Sequence, residues 1–213
     1  MAQHTVNVNF DESGYVNIYA PLTAGTWNDL VPDASSVIKT DSSIPPVFYF
    51  KTGTYNCISR VLFRINTLFL KNSTISTFNI KVPFVRTYDS RNQESYKLVS
   101  CSLTDTMIGS SSLRDYLINK NNTNDKNGVF SSVGTAVSND VTIDYTTTTV
   151  DNYEFPIYGT FTVDNAYVNK LGHTYFWLVL KEDGDHILPT ATAKNGGMNY
   201  VGNSTISDGG VFW

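Results

Sequence analysis

Two arginines, Arg60 and Arg64, stand four residues apart in the stretch 57–67, which reads Cys-Ile-Ser-Arg-Val-Leu-Phe-Arg-Ile-Asn-Thr. On a strand, guanidinium groups at that spacing project to one side. There they could grip a carboxylate across a groove or an interface, or pair with acids on neighbouring strands. Other chemistry-bearing residues are sparse. His4, His173 and His186 are far apart and share no spacing of a metal site. Cys57 and Cys101 lie in strand-like runs, without the basic cluster or helix start that would hold a thiolate. Two reduced, buried thiols are expected, though adjacent strands could bring them together. Glycoside hydrolysis needs two carboxylates held several ångströms apart. The candidates are Glu154 with Asp144, and Glu182 with Asp183 or Asp185. The last three crowd around an apparent turn at Asp183-Gly184, where solvated carboxylates are ordinary. Asp183 and Asp185 also offer hard oxygens to calcium, the one ion these residues could hold. No Gly-x-Ser-x-Gly, phosphate-binding loop or dinucleotide fingerprint occurs. The chain therefore reads as non-enzymatic and free of cofactors, calcium aside.

The elements that must carry these residues are strands. In 57–67, Cys57, Ser59, Val61, Phe63 and Ile65 fall on one face, and Ile58, Arg60, Leu62, Arg64 and Asn66 on the other. That period of two predicts a long half-buried strand with both arginines facing outward. Residues 4–10 and 15–20 alternate around the turn 11–14 and read as a hairpin. The run 21–46, with Pro21, Pro32, Pro45 and Pro46, reads as a long irregular connection that packs on neighbours, with Trp27 as an anchor. Residues 47–50 form a short strand. In 76–85, Phe78, Ile80, Val82 and Phe84 share a face, and Pro83 marks an edge or a bulge. Further strands are predicted over 96–103, 141–145 and 155–163. The run 174–180 is nearly all apolar and reads as a central strand buried on both faces. Two short helices are expected. Residues 110–119 offer serine caps and a stripe of Leu113, Tyr116 and Leu117. Residues 164–172 end on a glycine that could cap the helix. The apolar end, 211–213, reads as a docked strand.

Composition agrees. The 213 residues suit one large all-β domain. Charged residues make up only 16%, against a usual ~25%. Asn, Ser and Thr take their place, which favours strands and turns. The net charge of −4 and the lack of a basic run argue against nucleic-acid binding. No apolar run reaches the length of a membrane span. Residues 1–6 have neither a basic nor an apolar region, so no secretion signal is expected. One antiparallel β-sandwich of jelly-roll type over 1–213, with one or two short helices, accounts for the pattern.

The run Ser59-Arg-Val-Leu-Phe-Arg-Ile65 resembles the strand motif of DNRLRE-type and related carbohydrate-binding β-sandwich modules. There, a Ser-Arg-x-Leu-x-(Arg/Lys)-Phe run opens the body. The spacing of the strands that follow, over 75–85, 96–103 and 163–180, is similar to that group. Comparable sandwiches occur in virion proteins of tailed bacteriophages, in tail, baseplate, fibre or capsid-decoration roles. The resemblance implies a structural protein of a virion, assembled in the host cytoplasm and contacting other virion proteins or its own copies in a homo-oligomer. The expected contact residues are Arg60, Arg64, Trp27, Tyr15, Tyr19 and Trp213. A carbohydrate-binding adhesin that recognises surface glycans on Tyr15, Tyr19 and Trp27 is the alternative, and a polysaccharide-active enzyme a more distant one.

Overall fold

The computed structural model describes residues 13–21, 35–39, 46–51, 55–86, 92–120, 134–147, 149, 157–187 and 195–199. Side chains are described for 47, 58–86, 92–120, 134–147, 149 and 157–187. Among the described residues the fold is all-β and antiparallel. In chain order the strands are β1 (Ser13–Pro21), β2 (Ser35–Lys39), β3 (Pro46–Lys51), β4 (Tyr55–Asn66) and β5 (Phe78–Arg86). They continue with β6 (Gln93–Ser100), β7 (Val141–Asp144), β8 (Ile157–Val163), β9 (His173–Leu180) and β10 (Asn195–Asn199). Three short helices, α1 (Asp105–Ile108), α2 (Leu113–Asn119) and α3 (Lys181–Gly184), complete the set with 3-10 turns at Leu68–Leu70 and Asn165–Tyr167.

The strands hydrogen-bond in the order β7-β6-β9-β4-β3-β10-β5-β8. β4 is the hub. β1 runs along one of its edges from Tyr55 to Phe63, while β3 and then β9 share the other. Residues 134–140 bridge β6 and β8. Ser100 N–H donates to Thr135 O and Val137 N–H to Leu98 O on β6, while Asp164 N–H, just beyond β8, donates to Val137 O.

Neighbours in register share a face. On the inner face, Val61, Phe63 and Ile65 of β4 line up with Leu178 and Phe176 of β9, and these with Leu98 of β6. Opposite them stand the inward residues of β5 and β8. The rings of Phe84 and Tyr96 are 4.7 Å apart, and Phe84 also stacks on Phe161. The Tyr96 and Tyr145 hydroxyls meet at 3.0 Å, so neither buried oxygen lacks a partner. Burial pushes the Tyr96 hydroxyl well above its usual range.

β4 differs from its expected half-buried state. Its other face, carrying Ile58, Arg60 and Leu62, is just as buried, because the helices cover it. Leu113 and Leu117 of α2 are buried and Tyr116 is half-buried, as the apolar stripe of 110–119 implied, and Ile108 of α1 is buried as well. Ser112 caps α2, its hydroxyl accepting from Asp115 N–H at 3.0 Å.

Other expectations fare unevenly. β9 is buried from Thr174 to Leu180, as its apolar run demanded. β5 buries Phe78, Ile80, Val82 and Phe84. It pairs with β8 over 78–84, with Pro83 opposite Tyr158, and with β10 at Val85 and Arg86, so the edge or bulge expected at Pro83 is corrected: β5 lies between two strands and its register with β8 is unbroken. Both edges of β1 over 15–19 are taken by β2 and β4, where a hairpin with 4–10 was expected. Residues 4–10 lie outside the described part. β2 also corrects the reading of 21–46 as wholly irregular. The rest of that run, like 211–213, lies outside the described residues.

Gly159 tests how tightly β8 packs against side chains of β5 and β7. A Cβ there would stand 2.9–3.0 Å from Phe84, Ile143 and Val141 side chains. Gly159→Ala is expected to lower the unfolding free energy by about 1–3 kcal/mol in urea titrations. Thr160→Ala, next door but exposed, should stay within about 0.5 kcal/mol.

Candidate functional site

The arginines expected at the surface have different fates. Arg60 is fully buried. Its Nε donates to Asp183 Oδ2 at 2.6 Å and its Nη2 to Oδ1 at 2.8 Å, a two-pronged pair between residues 123 apart. Asp183 is equally buried, so the solvated turn expected at 183–184 is instead the short helix α3, whose acid points inward. Arg60 is therefore no contact residue, and the Asp183 carboxylate is engaged by a guanidinium rather than open to calcium. Arg64 is half-buried, and its Nη1 donates to Ser111 O at 2.9 Å, tying β4 to the start of α2.

Asp185 belongs to a ring of alternating charge. Lys97 Nζ contacts Asp185 Oδ1 and sits 3.2 Å from Asp140 Oδ1. Lys181 Nζ contacts Asp185 Oδ2 and sits 3.1 Å from Asp140 Oδ2. Partial burial pushes the Asp185 carboxyl up, but its bonds from Lys181 and Lys97 outweigh this and hold it low. Both calcium candidates are thus occupied by cationic side chains. Among the described residues no group of three or more His, Cys, Asp and Glu is placed to hold a metal.

Of the remaining expectations, Tyr15 and Tyr19 lie in β1, but their side chains fall outside the described part, as do Trp27, Trp213, His4 and Glu154. Asp144 accepts from Thr146 and from Gln93 Nε2, and these bonds hold its carboxyl low. Cys101 is a free thiol that burial pushes up to about 12, which leaves it protonated and unreactive.

The described residues form an open cleft at the β6–α1 junction. It has a volume of about 340 Å³ and is lined by Ser100, Cys101, Leu103, Thr104, Asp105, Thr106, Tyr167, Asn169, His173, Thr174, Tyr175 and Phe176. Its centre is Asp105, the first residue of α1. Oδ1 accepts from Tyr175 O–H at 2.6 Å and lies 2.9 Å from His173 Nδ1, and Oδ2 accepts from His173 N–H at 3.0 Å. An ionised carboxylate only accepts, so Nδ1 carries a proton and donates it to Oδ1. Burial pushes the Asp105 carboxyl up, but the bonds from Tyr175 and from the backbone and ring of His173 more than cancel it, and the group stays ionised.

The backbone makes this geometry possible. A Cβ at Gly172 would collide with Asp105 Oδ2, so that glycine serves a close approach rather than the helix cap expected of it. The 164–172 run holds only the 3-10 turn Asn165–Tyr167, capped by Asp164 Oδ1 accepting from Ala166 N–H. The loop after it is fastened to the end of β4. Thr67 N–H donates to Gly172 O at 3.1 Å, and the buried hydroxyls of Thr67 and Thr174 meet at 2.8 Å. The sequence presents His173 as an independent histidine and gives Asp105 no distinguishing signal. Their positions, 68 residues apart, carry no spacing that would join them.

No protein-family model, curated protein or solved structure matches this chain.

Two measurements follow. Asp183→Asn should cost about 3–5 kcal/mol in chemical unfolding, because it takes away a carboxylate charge that meets a buried guanidinium with two hydrogen bonds. Arg60→Met combined with Asp183→Leu should recover a large part of that loss. For Asp105, a folded-state pKa below the unfolded value means stability that is present above about pH 3.9 and lost as pH falls through the folded value. The stability gap between wild type and Asp105→Asn, measured from pH 7 to pH 3, should therefore be widest near neutrality and shrink below about pH 4.

Proposed function

We propose that this chain is a non-enzymatic structural component of a viral particle, of the tailed-bacteriophage kind, working through protein–protein contacts in a virion assembled inside the host cell. The observation that carries this reading is a concentration of exposed apolar side chains at one end of the β-body. Leu68 and Phe69 follow Thr67, Leu171 precedes Gly172, Met107 follows the cleft residue Thr106, and Tyr167 lines the cleft itself. Leu171 is 76% exposed. Thr67 and Gly172 are hydrogen-bonded and Gly172 abuts Asp105, so these residues belong to one neighbourhood. Grouped apolar exposure of this kind marks a contact surface.

The charged chemistry elsewhere points the same way. Arg60, Asp183, Lys97, Asp140, Lys181 and Asp185 are engaged with one another. The described cleft holds one carboxylate, whereas polysaccharide hydrolysis uses two. No helix among the described residues is long and apolar enough to cross a membrane. The same reading takes the body as a jelly-roll β-sandwich akin to the DNRLRE-type modules. What supports it is the apposition of β5 and β8 to β4, β6 and β9 across Phe84, Phe161 and Tyr96.

Size-exclusion chromatography with light scattering tests the proposal. The wild type should show masses at multiples of the monomer that rise with concentration, and Leu171→Asp should shift them toward the monomer without changing the circular dichroism spectrum. A wild type that stays monomeric at high concentration and binds no co-encoded particle protein would refute it.

A further inference from the structure

The cleft has the chemistry of a receptor, and its electrostatics narrow the occupant. Among its described lining residues Asp105 is the one carboxylate, and none is Lys or Arg. An anionic ligand would meet a fixed negative charge with no cation to offset it. A metal ion would need more ligands than one carboxylate and one imidazole supply. Asp105 is held rigidly by its three bonds from Tyr175 and His173, yet its side chain remains 43% exposed. Its salt-bridge partner is an imidazole, which is a cation only when protonated. Tyr167, 39% exposed, lines the same cleft, and a tyrosine ring is a surface on which a flat cation can rest. Around this polar centre lie Met107, Leu171, Leu68 and Phe69, all exposed.

We propose that this cleft receives an arginine side chain from a protein partner, with the guanidinium on Asp105 and Tyr167 and the partner's apolar neighbours on the surrounding rim. Arginine fits better than lysine because a planar guanidinium can meet a carboxylate edge and an aromatic face at once. The inference rests on the protein-contact reading above, and names the place and the chemistry of the contact. The pattern repeats at the surface what the core does with Arg60 and Asp183: a carboxylate positioned by one part of the chain awaits a guanidinium from elsewhere.

The probe is N-acetyl-arginine methylamide, titrated into the full chain and followed by the backbone amide NMR shifts of Tyr167, His173 and Tyr175. The controls are N-acetyl-citrulline methylamide, of the same shape without the charge, and methyl glucoside. The arginine probe should shift these amides saturably, and the citrulline and glucoside probes should not. Raising the salt from 0.05 to 0.5 M should weaken binding, as expected for a charge pair near the surface. Asp105→Asn should weaken it at least about tenfold. Tyr167→Ala, which touches no bond to Asp105, should weaken it about two- to fivefold with the other amide shifts unchanged. The proposal is overturned if the arginine probe moves none of the three amides at its solubility limit. It is equally overturned if citrulline or the glucoside binds as well, the latter pointing to a sugar site. A monomeric chain that still binds the arginine probe would count against the particle assignment and leave the cleft standing. An assembling chain that ignores the probe would do the reverse.

Discussion

The ion pair between Arg60 and Asp183 sets a condition that much of the architecture meets. Both side chains are buried, and an isolated charge in that setting is untenable. The two residues are 123 positions apart, so the pair can form only if β9, which pairs with β4, delivers α3 over Arg60. α3 is held from outside as well. Lys181 lies on it and Asp185 just beyond it, and the ring they form with Lys97 and Asp140 ties it to β6 and to the segment that stitches β6 to β8. A well-packed apolar pair of similar volume could serve as well energetically, so the ion pair is weak evidence of net stability. An α3 docked elsewhere would take the Asp183 carboxylate away from the buried Arg60.

Around that pair the sheet divides its labour between two faces. The inner one is aromatic and aliphatic and packs on β5 and β8. The outer one mixes Trp177 and Leu62 with Arg60, Arg64, Lys97 and Tyr175 under three helices of four to seven residues. Helices this short are not stable alone. Each is fixed by a polar bond from the sheet: Arg60 to Asp183 of α3, Arg64 to Ser111 beside α2, and Tyr175 to Asp105 of α1. Polar residues on a strand face were therefore a sign of a covering layer, not of solvent.

That point explains where sequence reasoning succeeded and failed. Period and hydrophobicity located β4, β5, β9 and α2, because each buries residues whose types declare it. The burial of Arg60 was illegible, because a two-residue period records polarity, and polarity matches exposure only when no counter-charge arrives from afar. The strand β2 was hidden for a related reason. Ser35-Ser-Val-Ile-Lys39 is short and polar, and its place depends on pairing with β1 rather than on its own pattern. The pairing of Asp105 with His173 is invisible in the sequence because it needs α1 and the start of β9 to meet, with Gly172 left bare to let the carboxylate close in.

Asp183 and Asp105 are the same group doing the same structural task under different cover. Each is the acid of a short helix, and each is held by a side chain from the sheet. At Asp183 the cover is complete, the partner is a guanidinium, and nothing remains for a visitor. At Asp105 the cover stops short, the charged partner is an imidazole, and the carboxylate faces a cleft with a tyrosine beside it and apolar side chains around it. A charge that folding needs and does not fully neutralise is a natural place for recognition, because the rigidity that fixes the helix also fixes the geometry offered to a partner. The cleft is the open edge of the outer layer, where the kind of carboxylate that is fully covered at Asp183 stays partly exposed; on the proposed reading, that is where another chain would complete the pairing.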